Sequence, residues 1–105
     1  MNAVMLRLFT EEDDKYKGRL VYEWLLESGR ELGISGGSAF RAIAGYGHGG
    51  RIHEDTFFEL GGKLPVEVMF AATPEQADAL LSRVHAAGLR LFYIRTPATT
   101  GTTGN

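Results

Sequence analysis

Gly45-Tyr46-Gly47-His48-Gly49-Gly50-Arg51 sets four glycines within six residues and closes them with an arginine. Glycine reaches backbone conformations that a Cβ forbids, and it lets main-chain N–H groups come close to a ligand. Successive N–H groups exposed in this way form an anion-sized concavity. An arginine beside it adds a planar donor fork suited to phosphate or carboxylate. The stretch therefore reads as a phosphate-recognising loop, with a glycine-rich surface connection as the plainer alternative. Arg41 stands just upstream among small apolar neighbours and must find water, a ligand phosphate or a salt bridge to another subunit. Arg51 follows Gly49-Gly50, from which it can swing toward the same ligand; otherwise it is a solvated loop charge.

Other side chains could join this chemistry. Lys15, Lys17 and Arg19 crowd the expected entrance to the first helix, where positive charge opposes the helix macrodipole. Helix stability does not explain them, so they are candidates for attracting an anion. Pairing with Glu11, Glu12, Asp13 and Asp14 is the alternative. Tyr16 and Tyr46 can stack on a base or fill an interface, packing being the plainer role. Arg95, near the end of the last strand, can close a cleft or remain a strand-edge charge. His48 and His53, with Glu54 and Asp55 adjacent, carry donor types that suit zinc or copper. No helix fixes their geometry and no thiolate assists, so solvent-facing histidines are the favoured reading and no metal is expected.

The elements that must position these groups follow from periodicity. Residues 3–10 alternate, with Val4, Leu6 and Leu8 on one face and Met5, Arg7 and Phe9 on the other, which predicts a strand. From about Lys17 to Leu32 the spacing becomes helical, with Leu20, Val21, Trp24, Leu25, Ser28 and Leu32 on one face and Gly33 as the stop. Residues 38–44 read as a second strand running into the glycine loop, with Thr56–Leu60 continuing as a hairpin arm. Residues 64–72 form a third strand, begun by Pro65 where no ladder donor is needed. Thr73, Pro74 and Gln76 supply the cap, first position and capping-box partner of a second helix. Its stripe is Ala77, Leu80, Leu81 and Val84, and Gly88 ends it. Residues 89–96 form the last strand, stopped by Pro97, and residues 98–105 are expected to be a disordered tail.

The order β-α-β-β-α-β predicts an α+β, ferredoxin-like fold in one domain over residues 1–97. It has a four-stranded antiparallel sheet with two helices on one face. The opposite face should then be polar, yet Met5, Phe9, Ala39, Ile43, Phe92 and Ile94 are apolar. Association of subunits through open sheet faces is the economical explanation.

At 105 residues with a formal charge of −2, the chain has room for one core and no electrostatic reason to bind nucleic acid. No apolar run approaches a membrane span and no secretion signal is legible, so a cytoplasmic location is expected. The absence of cysteine removes disulfide and thiolate chemistry.

Two segments resemble one known family. Asp14-Lys15-Tyr16-Lys17-Gly18-Arg19-Leu20-Val21-Tyr22-Glu23 is similar to the D-K-Y-K-G-x-x-L-Y-E signature of the PII-like family called domain of unknown function 190. Arg41-Ala42-Ile43-Ala44-Gly45-Tyr46-Gly47-His48-Gly49-Gly50-Arg51-Ile52-His53 is similar to its R-G-I-A-G-[FY]-G-x-x-G-R-I-H segment, with Ala42 where that family usually has glycine. The resemblance spans about residues 3–96. It implies a homotrimer whose sheets line a central barrel, nucleotide sites in clefts between subunits, and a flexible T-loop-like segment at about 46–63. It implies a regulator that binds an adenine nucleotide and docks on a transporter, a channel or an enzyme. The short connection His85–Arg90 lacks the glycine-rich basic loop of ATP-sensing PII proteins, which points to AMP or ADP rather than a triphosphate. Two alternatives stand beside this one: a weak nucleotide phosphohydrolase, and a metal-responsive trimer similar in fold to CutA.

Overall fold

The computed structural model of the chain describes residues 2–46 and 64–104. Eight elements follow in order: β1 (Asn2–Glu11), β2 (Lys15–Tyr16), β3 (Arg19–Leu20), α1 (Val21–Glu31), β4 (Gly37–Arg41), β5 (Pro65–Ala72), α2 (Pro74–Ala86) and β6 (Phe92–Thr99). The four longer strands form one antiparallel sheet in the order β4-β5-β1-β6, and β2 and β3 make a separate hairpin. Both helices pack on one face of that sheet, as the ferredoxin-like arrangement requires.

The pleat decides which residues face the helices. Val4, Leu6 and Leu8 of β1 and Val66, Val68 and Phe70 of β5 are buried, and they meet Val21 and Leu25 of α1 and Ala77, Leu80 and Val84 of α2. Each such valine, leucine or phenylalanine side chain contributes about 1.5–3 kcal/mol through removal from water. The alternate residues Met5, Arg7, Phe9, Glu67 and Met69 lie on the opposite face and are half-buried.

The first helix begins later than its periodicity predicts. Lys17 and Gly18 both have positive φ, at 51° and 80°, the pair of conformations that closes a two-residue type I′ hairpin turn. Lys15–Leu20 therefore folds back as β2 and β3 before α1 starts. Leu20 provides no side-chain cap; instead the Val21 N–H donates to the Asp14 carbonyl at 2.8 Å. At the other end Gly33, with φ 85°, lets its own N–H reach the Arg30 carbonyl and the Ile34 N–H reach that of Gly29, a Schellman closure.

The second helix starts as expected. Thr73 accepts from the Gln76 N–H while the Gln76 side chain accepts from the Thr73 N–H, a complete capping box. Its closure at Gly88 holds Leu89 through a bond from the Leu89 N–H to the Val84 carbonyl. The last strand is thereby displaced, running from Phe92 to Thr99 rather than over 89–96. Pro97 lies inside it opposite Val4, tolerated because β6 is an edge strand with one paired side. Ala98 and Thr99, the first residues of the expected tail, pair with Ala3 and Asn2. The second strand is shorter than predicted, ending at Arg41.

One packing feature had no periodic signal. A Cβ on Gly29 would sit 2.4 Å from Phe70 Cε1, and one on Gly37 would sit 2.6 Å from the same atom. The Phe70 ring thus occupies a slot between a glycine of α1 and the first residue of β4. Glycine inside a helix costs about 1 kcal/mol relative to alanine, and here the close approach of the ring requires it.

Candidate functional site

The ends of β1 and β4 and the start of β5 meet at one corner of the sheet. The Glu12 N–H donates to the Leu64 carbonyl at 3.1 Å, and the Ala42 N–H donates to the Pro65 carbonyl at 2.9 Å. Arg41 stands at this corner as the last residue of β4. Its Nε lies 2.9 Å from Glu12 Oε1, a partner within its own subunit. Just beyond it, Ile43 is 98% and Tyr46 72% exposed. Gly45 lies beside Pro65. Gly47, His48, Gly49, Gly50, Arg51 and His53 fall outside the described residues, as does the proposed hairpin arm Thr56–Leu60.

The β2–β3 hairpin projects from the same corner, immediately after β1. Lys15, Lys17 and Arg19 are carried on it, ahead of the Leu20 cap, rather than on the first turn of α1. Lys17 Nζ lies 5.5 Å from the centroid of the Tyr16 ring, which itself packs edge-on against Trp24 at 5.2 Å. Arg19 pairs with Glu27 of α1 rather than with the acidic run upstream. Asp14 of that run is a structural residue: its carboxylate accepts from the Thr10 hydroxyl at 3.1 Å and from the Glu11 N–H at 3.3 Å. Glu11, Asp13 and Asp14 also bring carboxylate oxygens within 4.8 Å of one another, an exposed group of a kind common on solvated turns.

Arg95 is elsewhere. It lies on β6, the opposite edge of the sheet from β4. It donates to Asp78 at 2.7 Å and to the Pro74 carbonyl at 3.3 Å, tying β6 to the start of α2. Three strand spacings separate the two edges, roughly 14 Å, so within one protomer Arg41 and Arg95 do not converge.

Sequence reasoning missed a cleft among the described residues. A recess of about 520 Å³ lies between α1 and the start of β4, lined by Glu23, Leu26, Arg30, Ser35, Gly37 and Phe70 among others. Gly37 was the available signal, because chain that lies this close to a ring has no room for a Cβ. A smaller hollow of about 130 Å³, bounded by Phe9, Phe40, Arg41, Pro65 and Glu67, opens near the Arg41 corner.

The open sheet face has its own organisation. Phe9 and Phe92 lie 5.6 Å apart between ring centroids, with Met5, Met69 and Phe40 on the same side of the pleat. Amid them Arg7 donates from Nε to Glu67 at 2.7 Å and from Nη2 at 3.2 Å, and its guanidinium stacks 5.8 Å from Phe9. The hydrogen bond to Glu67, then its charge, raises the pKa of Arg7 further above the guanidinium's ordinary value. Ala39, expected on this face, instead pairs with Val68 and faces the helices.

Among the described residues no helix is long and apolar enough to cross a membrane.

With this geometry in place, comparison with known proteins finds the DUF190 family profile, described as Uncharacterized ACR, COG1993, matching residues 3–90. A UPF0166 protein of Aquifex aeolicus is 39% identical over 80 residues, 76% of each chain. A UPF0166 protein of Methanocaldococcus jannaschii is 29% identical over 85 residues, 81% of this chain and 78% of that one. Among solved structures, CPII of Thiomonas intermedia K12, a nitrogen regulatory PII-like protein bound to ADP, AMP and bicarbonate, aligns with TM-score 0.66 at 13% identity. That alignment covers 97% of this chain and 96% of CPII.

Proposed function

The chain belongs to the DUF190 family and has a PII-like fold, and from that premise we propose that it is a regulatory protein that binds AMP or ADP between protomers and controls a partner through residues 46–63. The observation that carries the reading is the agreement of the whole fold with a PII-like protein that holds ADP and AMP. The geometry of β4 supports it. Gly37, Ala39 and Arg41 share one side of the strand, and four residues of strand span roughly 13 Å. That is about the length of a nucleoside diphosphate. A base resting in the recess by Gly36-Gly37 and Phe70 would extend its phosphates toward Arg41 and the main chain of Gly45–Tyr46.

The separation of Arg41 and Arg95 favours an intersubunit site. A ligand contacted by both needs the β4 edge of one protomer and the β6 edge of another, as a homotrimer supplies. Lys15 and Lys17, on a hairpin beside the Arg41 corner, then add positive potential at the mouth of the cleft. In this reading Gly47, Gly49, Gly50 and Arg51 add further phosphate contacts, and ligand occupancy presents or hides a docking surface. The partner is a transporter, a channel or an enzyme in the cytoplasm.

Titration calorimetry of the full chain with AMP, ADP, ATP and cyclic AMP tests the reading. Saturable binding of AMP or ADP, with the nucleotide recovered unchanged by chromatography, is expected. Silence across the four nucleotides removes it, and appearance of product turns the site into that of a phosphohydrolase.

A further inference from the structure

Arg41 does not stand ready for an anion: its guanidinium is already held by a carboxylate. Glu12 Oε1 sits 2.9 Å from Arg41 Nε, with the arginine side chain 68% exposed and the glutamate 29%. The glutamate is the anchored partner. Its backbone is fixed by the bond to the Leu64 carbonyl, and the turn after β1 is braced by Asp14 on Thr10 and on the Glu11 N–H. Arg41 is the partner that can leave, being at the end of an edge strand with most of its side chain in water.

We propose that Glu12 is a built-in competitor for the anionic ligand, positioned to hold Arg41 until a phosphate displaces it. This rests on the nucleotide reading above. An exposed ion pair with one close N–O contact is weak, contributing about 0.2–1 kcal/mol. A phosphate offers the guanidinium the same two parallel hydrogen bonds as a carboxylate and more charge, so it displaces Glu12 more readily than a singly charged carboxylate or halide does. Glu12 thereby raises the concentration at which the site fills, and it selects for anions that can outcompete a carboxylate.

The test is a double-mutant cycle in the full chain, with ADP as the probe and calorimetry at fixed ionic strength. Glu12→Gln keeps the side chain's size and an oxygen acceptor while removing the charge. It is expected to bind ADP about 1.4- to five-fold more tightly than the unaltered chain, the range that 0.2–1 kcal/mol of lost competition sets. A gain of affinity is not what structural damage produces. Arg41→Ala is expected to weaken binding, and Glu12→Gln added to Arg41→Ala is expected to change nothing further. Glu11→Gln, which removes the neighbouring exposed charge without touching the pair, is expected to have less than half the effect of Glu12→Gln.

The proposal is overturned if Glu12→Gln leaves ADP affinity unchanged or lowers it while Arg41→Ala still weakens binding; the nucleotide reading survives that result. It is likewise overturned if Glu12→Gln tightens binding equally in the Arg41→Ala background, or if Glu11→Gln matches it, since general charge then accounts for the gain. Failure of the unaltered chain to bind ADP at all removes both readings together.

Discussion

The two faces of the central strands are built from alternate residues of the same segments, yet they meet opposite fates. On the helix side, Leu6, Leu8, Val68 and Phe70 are sealed beneath α1 and α2, with almost no exposure. On the other side, Phe9, Met5, Met69 and Phe92 surround an Arg7–Glu67 pair and are left partly open. Apolar character alone therefore does not distinguish core from interface; the difference is whether the chain itself supplies a covering layer. The proposed association would cover the open face, and the charged pair at its middle would then set how that surface is matched.

The largest expected effect lies on the sealed side. Phe70→Ala empties the slot between Gly29 and Gly37 and is expected to cost about 3–5 kcal/mol in chemical denaturation. The matching change on the open face, Phe92→Ala, is expected to cost the isolated protomer at most about 1 kcal/mol. Equal losses in dilute protomer would erase the distinction between the faces.

Gly29→Ala sharpens the same contrast from the helix. Alanine is the better helix former by about 1 kcal/mol, but its Cβ would lie 2.4 Å from Phe70 Cε1. A net loss of about 1–3 kcal/mol is expected from overpacking, partly recovered in Gly29→Ala with Phe70→Leu. Thermal unfolding of the single and double variants measures the rescue; a stabilised single variant would mean that the ring yields freely.

Changes confined to the open face should act on association. Phe9→Ser with Phe92→Ser is expected to shift light-scattering mass toward the monomer while circular dichroism is retained. The smallest effect is expected at Arg7 and Glu67. Removing one partner leaves an unmatched charge on an apolar face, so Glu67→Gln alone is expected to weaken association more than Arg7→Met with Glu67→Met. Sedimentation of the two at equal concentration decides it, and the reverse order would show that the pair itself holds protomers together.

Much of this architecture was legible in the residues. Strict alternation in β1 and β5, and the Thr73-Pro74-Gln76 start of α2, are local signals in which propensity and environment agree. The starts and stops that went astray each depend on a bond between distant or conformationally special residues. Lys17 gives no hint that it adopts a positive φ, so residues 17–20 of the hairpin read as part of α1. Leu89 belongs to the closure of α2 because of a bond to Val84, which pushed β6 past Pro97. At the candidate site, Arg41 and the hairpin lysines were identified by type, but the carboxylate that holds Arg41 was not. Nor was the recess beside Gly36-Gly37, since neither has a periodicity to read.

What the order of residues determined by itself was the sequence of elements and the faces of its central strands, because hydrophobic spacing and capping chemistry act over a few neighbouring positions. It also marked the family, through two long position-specific segments. Only the folded arrangement decided which charges meet. Arg41 with Glu12, Arg95 with Asp78 and Arg19 with Glu27 are pairs made by packing, at separations in the chain that no local rule anticipates. The placing of Arg41 and Arg95 on opposite edges was decided there too, because strand order in a sheet is settled by how the helices cross it.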